Sequence, residues 1–430
     1  MIRIFEYGEV GESEIFDRAD DGRDVASAVR GIIADVRANG DAAVRKYTEM
    51  FDGASPERFE ADRGELEAAA ASVEPEFLDT MRRAAANIEA FHRRQVRSGF
   101  VISDRDGVVT GQRVLPIARV GLYIPGGTAG YPSSALMNCI PAKIAGVGEI
   151  IMATPPGADG GIKNPYIVAA ALIAGVDRVF KIGGAQAVAA LAYGTRSIPA
   201  VDKLVGPGNA YVAEAKRQVY GQVGIDMIAG PSEILVIADG GCDAAVIAAD
   251  MLSQAEHDER ASAVLITVSR ELACGVSGEL ERRIPSLPRA DIARASIDRN
   301  GKIIVAASIE QAIAISNRLA PEHLELCLDN PFDFLSLVEN AGSVFLGKHC
   351  PEAVGDYCAG PNHTLPTSGT ARFYSPLSVD DFIKKSSFTY YSREALGREA
   401  DDVALFAEKE GLTAHARSVR ARFEGGGDLP

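Results

Sequence analysis

The segment DMLSQAEHDE, residues 250–259, carries the first side chains that could do chemistry. It follows the apolar run AAVIAA, which is typical of a helix face packed into a core. Gln254 and His257 are three positions apart, so in a helix they project from one face and could converge on a single point. Two interpretations are open: the last turn of this helix is merely solvated, or the two side chains bind a metal ion.

Histidine is scarce, with six in the chain, and His323 has an acid directly before it. Glu322 and His323 lie in APEHLELCL, where a helical pattern gives way to a strand pattern. An acid beside an imidazole could supply one base for a water molecule and another for a hydroxyl proton. A polar loop is the simpler interpretation of the same dipeptide. His92, by contrast, lies in a charged helix, and we expect it at the surface.

Two further segments pair an acid with a histidine. GDYCAGPNHTLP brings Asp356 and His363 into a loop rich in glycine, proline and asparagine. EKEGLTAH places Glu410 and His415 near the C-terminus, where solvated charge is the simpler interpretation.

A metal could be held by a subset of these groups. The nitrogen and oxygen donors that could form such a set are Gln254, His257, Asp356 and His415. Imidazole with carboxylate suits Zn²⁺, and less selectively Mn²⁺ or Co²⁺. Glutamine is a rare ligand, so these residues alone leave Glu256 or Asp258 open as alternatives.

Four glycine-bearing turns could hold a small molecule: YIPGGTAG, KIGGAQ, VGPGN and AGPSE. Ligands of parallel α/β sheets gather at the carboxyl ends of the strands, and we expect these turns there. Glycine allows close approach of the backbone, and a following helix N-terminus favours phosphate. None of the turns spells GxGxxG, so each could equally be an ordinary tight turn between a strand and a helix.

The elements that must position these groups are helices first and then alternating strands and helices. Residues 22–98 show helical spacing, and VISDRDGVVTGQRVLPI alternates as hairpin strands do. From residue 118, short β-branched runs alternate with alanine-rich helical stretches, which indicates parallel sheets covered by helices, with a seam near residue 231. From about residue 366 the chain becomes irregular and ends in charged helices too small for a core of their own, so we expect them to dock elsewhere, for example on a partner subunit.

Composition limits the class of protein. At 430 residues the chain is too long for one compact core. A formal net charge of −15 argues against nucleic acid or an anionic membrane as the main partner, since both require a basic surface. The N-terminus lacks the pattern of a signal peptide, and no apolar run has the length of a membrane span. The six cysteines show no CxxC spacing, and Cys139 and Cys327 lie in apolar runs, so we expect a cytoplasmic protein with reduced thiols.

Eight motifs occur in order along the chain: GLYIPGG, GGAQAVAALAYGT, VGPGNAYV, AGPSEILVIAD, LSQAEHD, APEHLEL, VGDYCAGPNHTLPTSG and EGLTAHARSV. Together they resemble the histidinol dehydrogenase family over nearly the whole chain, while the first twenty residues match only weakly. The resemblance implies oxidation of L-histidinol through L-histidinal to L-histidine, with reduction of two NAD⁺. It also implies one zinc ion per subunit, which anchors the substrate's imidazole and amino nitrogens, and a homodimer with shared active sites.

The same resemblance assigns roles to individual residues. It implies the zinc ligands Gln254, His257, Asp356 and His415. It implies substrate contacts by the ligands themselves and by Ser232, His323 and Glu410. It implies NAD contacts by Tyr123, Gln186 and Asn209. His323 would take the alcohol proton, and Glu322 would activate the water that attacks the aldehyde. Glu410 and His415 would complete the site of the neighbouring subunit.

The predicted fold is therefore α/β, with two Rossmann-like parallel-sheet units that lack GxGxxG, and small N- and C-terminal helical or irregular segments completing an intertwined dimer. The predicted domains are a discontinuous first α/β domain with the metal and catalytic residues (22–122 and 232–370), an NAD-binding second α/β domain (123–231), a small dimerisation segment (1–21 with 371–395) and a C-terminal tail domain (396–430).

Two other functions are compatible with parts of this sequence. A paralogue could keep the fold and the metal but oxidise another alcohol, such as a sulfonated diol; Glu410 and His415 within EGLTAH argue against this. A metal-dependent α/β binding or regulatory protein would perform no turnover, and Tyr123, Gln186 and Asn209 together favour a working cofactor site instead.

Overall fold

A computed structural model describes residues 1–18, 25–126 and 130–424. The chain divides into two compact units. Unit 1 comprises Met1–Val96 and Ile117–Phe382, and unit 2 comprises Arg97–Pro116 and Ile383–Pro430. The predicted α/β class is confirmed, whereas the predicted domain boundaries stay a prediction.

The strands of the described residues, in chain order, are β1 (Arg3–Glu6), β2 (Phe100–Ile102), β3 (Val108–Pro116), β4 (Arg119–Tyr123), β5 (Glu149–Thr154), β6 (Arg178–Lys181), β7 (Lys203–Val205), β8 (Gly224–Ile225), β9 (Glu233–Ala238), β10 (Ser262–Thr267), β11 (Lys302–Val305), β12 (His323–Cys327), β13 (Ser343–Leu346) and β14 (Ile383–Tyr391).

The helices of the same residues are α1 (Glu12–Phe16), α2 (Ala26–Asn39), α3 (Asp41–Asp52), α4 (Arg63–Ala71), α5 (Pro75–His92), α6 (Pro132–Ala145), α7 (Pro165–Ala174), α8 (Gly184–Tyr193), α9 (Ala210–Val219), α10 (Ala244–Ala255), α11 (Arg270–Arg283), α12 (Ala290–Asn300), α13 (Ile309–Leu319), α14 (Phe332–Leu335), α15 (Glu352–Tyr357), α16 (Arg393–Lys409) and α17 (Thr413–Arg420). None of the helices in the described ranges is long and apolar enough to cross a membrane.

The smaller parallel sheet of unit 1 has the order β6-β5-β4-β7-β8. Its strands are rich in Val, Ile and Leu because both faces are covered by helices, as parallel sheets require. Helices α2 and α3 pack with α8 and α9 on one face, and α4 and α5 pack with α6 and α7 on the other. The N-terminal helices predicted from residues 22–98 thus enclose this sheet.

The larger parallel sheet of unit 1 has the order β1-β11-β10-β9-β12-β13. Its central strand β9 is buried along its whole length, between β10 and β12. Helices α10, α11 and α12 cover one face, and α13 covers the other. The first strand of the chain closes one edge by pairing with β11, so that Arg3 lies beside Lys302.

Unit 2 contains an antiparallel sheet of order β14-β3-β2 and the last two helices. The predicted hairpin is β2 with β3, and β14 extends it through nine paired residues. Helices α16 and α17 meet through Ala404, Ala407 and Ala416. This alanine contact is small, in keeping with the prediction that the tail cannot form a core of ordinary size.

His92 corrects one sequence-based prediction, because it is fully buried rather than at the surface. Its Nδ1 atom lies 2.7 Å from the Gln95 amide oxygen, and its Nε2 atom lies 3.5 Å from the Asn362 amide nitrogen. The charged neighbours Arg93 and Arg94 point outward from the following turn, and that charge led to the wrong prediction.

Candidate active site

The glycine-bearing turns lie at edges of opposite polarity in the two sheets of unit 1. In the smaller sheet, YIPGGTAG follows β4, KIGGAQ follows β6 and VGPGN follows β7, so these three occupy the predicted carboxyl edge. Positions 127–129 of the first turn lie outside the described residues. The fourth turn, AGPSE, lies between β8 of the smaller sheet, whose carboxyl end it follows, and β9 of the larger sheet, whose amino end it precedes.

A cleft of about 290 Å³ is lined by both edges. From the smaller sheet come the loop after β4 and the loop 206–209, and from the larger sheet come the segments before β9, β10 and β12. The predicted site residues that line it are Asn209, Ser232, Gln254, His257, Glu322, His323 and Asp356. The structure therefore brings together seven residues that span almost 150 positions of sequence.

The loop 206–209 is held by a buried ion pair. The backbone of Gly206 donates to the Asp226 carboxylate at 2.7 Å and accepts from the Lys216 ammonium at 2.9 Å. Asp226 and Lys216 also contact each other, with side chains that are 1% and 2% exposed. Asn209 caps α9 by accepting from the backbone N–H groups of Tyr211 and Val212, so its exposed amide N–H₂ points away from the helix end.

Gly206→Ala is expected to lower the free energy of unfolding by about 2 kcal/mol more than Gly221→Ala. Both glycines have left-handed backbones, with φ of +116° and +101°, so the strain of positive φ is common to the two variants. Only at Gly206 would the new methyl clash, at 2.1 Å from the Tyr123 carbonyl oxygen; nothing lies within 4 Å at Gly221. Denaturant unfolding of both variants measures the difference, and equal losses would contradict this account.

Tyr123 and Gln186 lie on the carboxyl edge of the smaller sheet. Tyr123 is buried at the end of β4, and its hydroxyl accepts from the Gly184 N–H at 3.0 Å. Burial raises the pKa of this phenol to about 12, so it stays protonated. Gln186 is fully buried on α8, and neither its amide oxygen nor its amide nitrogen has a partner within the described ranges. A buried amide with both atoms unsatisfied is expected where a ligand is to bind.

Gln254 lies in the last turn of α10, whereas His257 lies in the turn that follows the helix end at Ala255, so the two do not share the predicted helix face. Gln254 is 1% exposed, and its amide oxygen has no hydrogen-bond partner among the described residues. Burial lowers the pKa of His257, although the Asp356 carboxylate opposes this. A neutral imidazole and a free amide oxygen at one helix end are both able to donate a lone pair to a cation.

His323 begins β12, beside the start of β9, and Glu322 directly precedes it. The Glu233 N–H of β9 donates to the Glu322 carboxylate at 2.8 Å, and the Glu233 carbonyl oxygen lies 3.0 Å from the His323 Nδ1 atom. A carbonyl can only accept, so Nδ1 carries a hydrogen. In the neutral ring Nε2 is then the free base, and it is buried without a partner in the part of the chain described.

The His323 Nε2 atom faces two carboxylates of α15. It lies 3.7 Å from a Glu352 oxygen and 3.8 Å from an Asp356 oxygen, which is too far for a hydrogen bond. The three side chains can place their donor atoms within 4.8 Å of one another. Glu352 was missed by the sequence analysis; its signal is the spacing of four from Asp356, which puts both acids on one face of a helix.

This cluster buries three carboxyl groups around one imidazole. Burial raises the pKa of Glu322 to about 8 and that of Glu352 to about 7. Burial lowers the pKa of His323, but the nearby carboxylates, Glu322 foremost, outweigh it and raise that pKa to about 10. At neutral pH this pKa leaves His323 protonated on both nitrogens. A cation beside Asp356, either a metal ion or a substrate ammonium group, would compensate the carboxylates, lower the pKa of His323 and free Nε2 to accept a proton.

The remaining predicted residues have different settings. Ser232 lines the cleft just before β9. His363 also lines it, with Nδ1 3.1 Å from the Asp356 carbonyl oxygen and Nε2 3.0 Å from the Ser134 hydroxyl. Glu410 and His415 belong to unit 2, where both are exposed at the junction of α16 and α17.

Comparison with known proteins gives concordant matches. The family model described as histidinol dehydrogenase matches residues 17–423. Histidinol dehydrogenase of Bacillus cereus is 56% identical over 396 residues, or 92% of each protein, and that of Listeria monocytogenes is 53% identical over 400 residues, or 93% of each. The crystal structure of histidinol dehydrogenase from Elizabethkingia anophelis superposes with a TM-score of 0.92 at 38% identity and covers 98% of both chains.

Proposed function

The chain belongs to the histidinol dehydrogenase family, and we propose that it oxidises L-histidinol through L-histidinal to L-histidine, with reduction of two NAD⁺. The observation that carries the proposal is the Glu322–His323 pair on the cleft wall, with the Nε2 base of His323 buried and unpartnered among the described groups. A cation held in the cleft would lower the pKa of His323 and make Nε2 available to a substrate proton. The protein would thus act in the last steps of histidine formation, and the cytoplasm stays the predicted location.

A zinc ion fits the residues present. Gln254, His257 and Asp356 line the same cleft, and the unsatisfied amide oxygen of Gln254 is the kind of buried atom that a cation would satisfy. Their nitrogen and oxygen donors suit zinc. When bound, the ion would supply a Lewis-acid anchor for the nitrogens of the substrate, so that binding free energy goes into orientation.

Tyr123, Gln186 and Asn209 would hold NAD⁺. Both amide atoms of Gln186 are buried without a partner among the described residues, and the Asn209 amide N–H₂ is exposed beside the loop 206–209. The glycine turns would let the backbone approach the dinucleotide closely, which is the role that GxGxxG has in other dinucleotide-binding proteins. When bound, the nicotinamide would supply the hydride acceptor.

His323 would serve as the base of the first oxidation. Its Nε2 atom accepts the hydroxyl proton while the hydride leaves the carbinol carbon, which gives the aldehyde. The Glu233 carbonyl holds Nδ1–H and so keeps the ring in the tautomer that this step needs. Ser232, which lines the cleft just before β9, would contact the substrate.

Glu322 would serve the second oxidation, which needs an oxygen atom that the substrate lacks. Its Oε2 atom accepts from the Glu233 N–H, which leaves Oε1 to take a proton from a water molecule. The water oxygen bonds to the aldehyde carbon and forms the hydrate as its oxyanion, which keeps one hydroxyl group. His323, after losing its first proton to solvent, deprotonates the hydrate as the second hydride leaves, and the carboxylate product results.

The fourth zinc ligand would come from a second copy of the chain. Tetrahedral zinc requires four positions, and the cleft supplies Gln254, His257 and Asp356. We propose that the partner's tail contributes His415 as a ligand and Glu410 as a substrate contact. Their exposure on unit 2 is compatible with such a role, and a closed two-fold dimer would make both sites equivalent.

The expected result of turnover is two NADH formed for each L-histidinol consumed. The second hydride requires the hydrated aldehyde to stay bound until His323 has acted again. Absorbance at the NADH band with a limiting amount of substrate gives the ratio, and chelation should abolish the reaction until zinc is restored. One NADH per substrate with free aldehyde would indicate a paralogue that oxidises another alcohol, and no NADH would indicate a binding protein.

A further inference from the structure

Arg18 lies against the segments that hold Glu322 and His323, although more than 200 positions of sequence separate it from Glu233, its partner at the start of β9. We infer that Arg18 and Glu233 form a positioning pair that fixes the orientation of these two bases. The inference rests on the proposed function, because it concerns the same two side chains. Neither Arg18 nor the Glu233 side chain needs to touch the substrate.

The guanidinium group of Arg18 joins two segments. Its Nε atom donates to the Glu233 carboxylate at 2.8 Å, and Nη2 bonds the other carboxylate oxygen at 3.3 Å. Nη2 also donates to the Leu319 carbonyl oxygen at 2.5 Å. Glu233 begins β9, and Leu319 ends α13 just before the turn that leads to the two bases. One rigid fork thus sets the separation of β9 from that turn.

Glu233 transmits this placement through its backbone. Its N–H donates to the Glu322 carboxylate, and its carbonyl oxygen holds Nδ1–H of His323. One peptide unit on each side of a single Cα therefore orients both bases. If β9 shifted, Glu322 would lose its donor, and the ring of His323 could change tautomer and put the hydrogen on Nε2.

The surroundings of the pair keep it in place. The backbone of Ser368, in the left-handed region at φ +56°, lies near the Glu233 carboxylate and lowers its pKa, which burial raises overall. A methyl group on Gly369 would lie 2.6 Å from an Arg18 nitrogen, so this glycine leaves room for the guanidinium. The Glu233 side chain is only 10% exposed. Buried ion pairs contribute little net stability but can fix one geometry, which favours a positioning role.

The test compares Arg18→Gln with Arg318→Gln, in the full-length zinc-loaded protein. Arg318 also anchors the N-terminal segment, through Glu12 at 2.9 Å and the ring of Phe16, but it touches neither base nor Glu233. We expect Arg18→Gln to lower kcat about 10–100-fold, with KM for L-histidinol and for NAD⁺ within about twofold. Arg318→Gln should keep the kcat of the wild type. The kcat of Arg18→Lys should fall between those of Arg18→Gln and the wild type, since an ammonium group cannot bond both Glu233 and the Leu319 carbonyl oxygen.

A second readout needs no turnover. With six histidines in the chain, imidazole ¹⁵N spectra of the zinc-loaded protein can be assigned, and His323 should lose its single Nδ1–H tautomer in Arg18→Gln. If Arg18→Gln fails to fold, the double variant Arg18→Gln/Glu233→Gln takes its place, because it leaves no unpaired charge. Its kcat and its His323 tautomer are then compared with those of the wild type in the same way. An unchanged tautomer, a kcat within twofold of wild type, or an equal loss in Arg318→Gln would overturn the inference. If the wild type does not oxidise L-histidinol but the His323 tautomer still differs between the wild type and Arg18→Gln, the proposed function is refuted and the positioning role of Arg18 is kept.

Discussion

His323→Asn is expected to lower kcat for L-histidinol by about 10²–10⁴-fold, with little change in KM. The substitution removes the Nε2 base, while the asparagine N–H₂ can still donate to the Glu233 carbonyl oxygen that holds Nδ1–H in the wild type. Packing at the start of β12 is therefore preserved as far as possible. Steady-state NADH formation measures the loss, and circular dichroism with zinc content verifies that the fold and the metal remain.

Glu322→Gln is the matched control, because it should separate the two oxidations. Glutamine keeps an oxygen acceptor for the Glu233 N–H but cannot take a proton from water. The first hydride should still be transferred, so NADH per substrate should fall from two toward one, with aldehyde that a carbonyl reagent traps. Equal loss of both oxidations would show that Glu322 does not act as the separate base for water.

Mixed dimers are expected to regain activity from two inactive variants. His323→Asn disables the cleft of its own chain, and His415→Ala disables the tail that is predicted to reach the partner. In a heterodimer, the intact cleft of the second variant meets the intact tail of the first, which gives one working site of two. Random 1:1 reassociation makes half of the dimers mixed, so the expected recovery is about a quarter of wild-type activity.

Zinc content provides the control for this experiment. Homodimers of His415→Ala should bind little zinc, homodimers of His323→Asn should keep about one ion per subunit, and the mixed sample should lie between. Absence of any recovery, with both variants folded and dimeric, would show that each chain builds its site alone. Recovery without zinc in the working site would remove the metal from the proposal.

The sequence predicted the site better than the arrangement of the sheets. Gln254 with His257, and Glu322 with His323, could be paired because they are close in sequence, although His257 lies in the turn after α10 rather than on the helix face. Asp356 could be joined to them only by resemblance to a family, since its helix lies about 100 positions from Gln254. Their common cleft then followed from the fold rather than from any local pattern.

Long-range pairings could not be predicted in the same way. Nothing local indicates that β1 pairs with β11 at the edge of the larger sheet, or that β14 extends β3. Glu352 was overlooked because an acid at a helix start is usually exposed to solvent, where it stabilises the positive end of the helix dipole. Only the tertiary fold buries this acid against His323. AGPSE connects the two sheets, from the end of β8 to the start of β9, and a glycine turn gives no sign of such a crossing.

The opposed polarity of the two sheet edges has an evolutionary consequence. Each wall of the cleft belongs to a separate hydrogen-bonded ladder, and the loops of one can vary in length without altering the register of the other. A lineage could therefore exchange its dinucleotide preference while retaining its amino alcohol, or the reverse. Protein designers could likewise treat the walls as two exchangeable halves, with the start of β9 as the part to leave untouched.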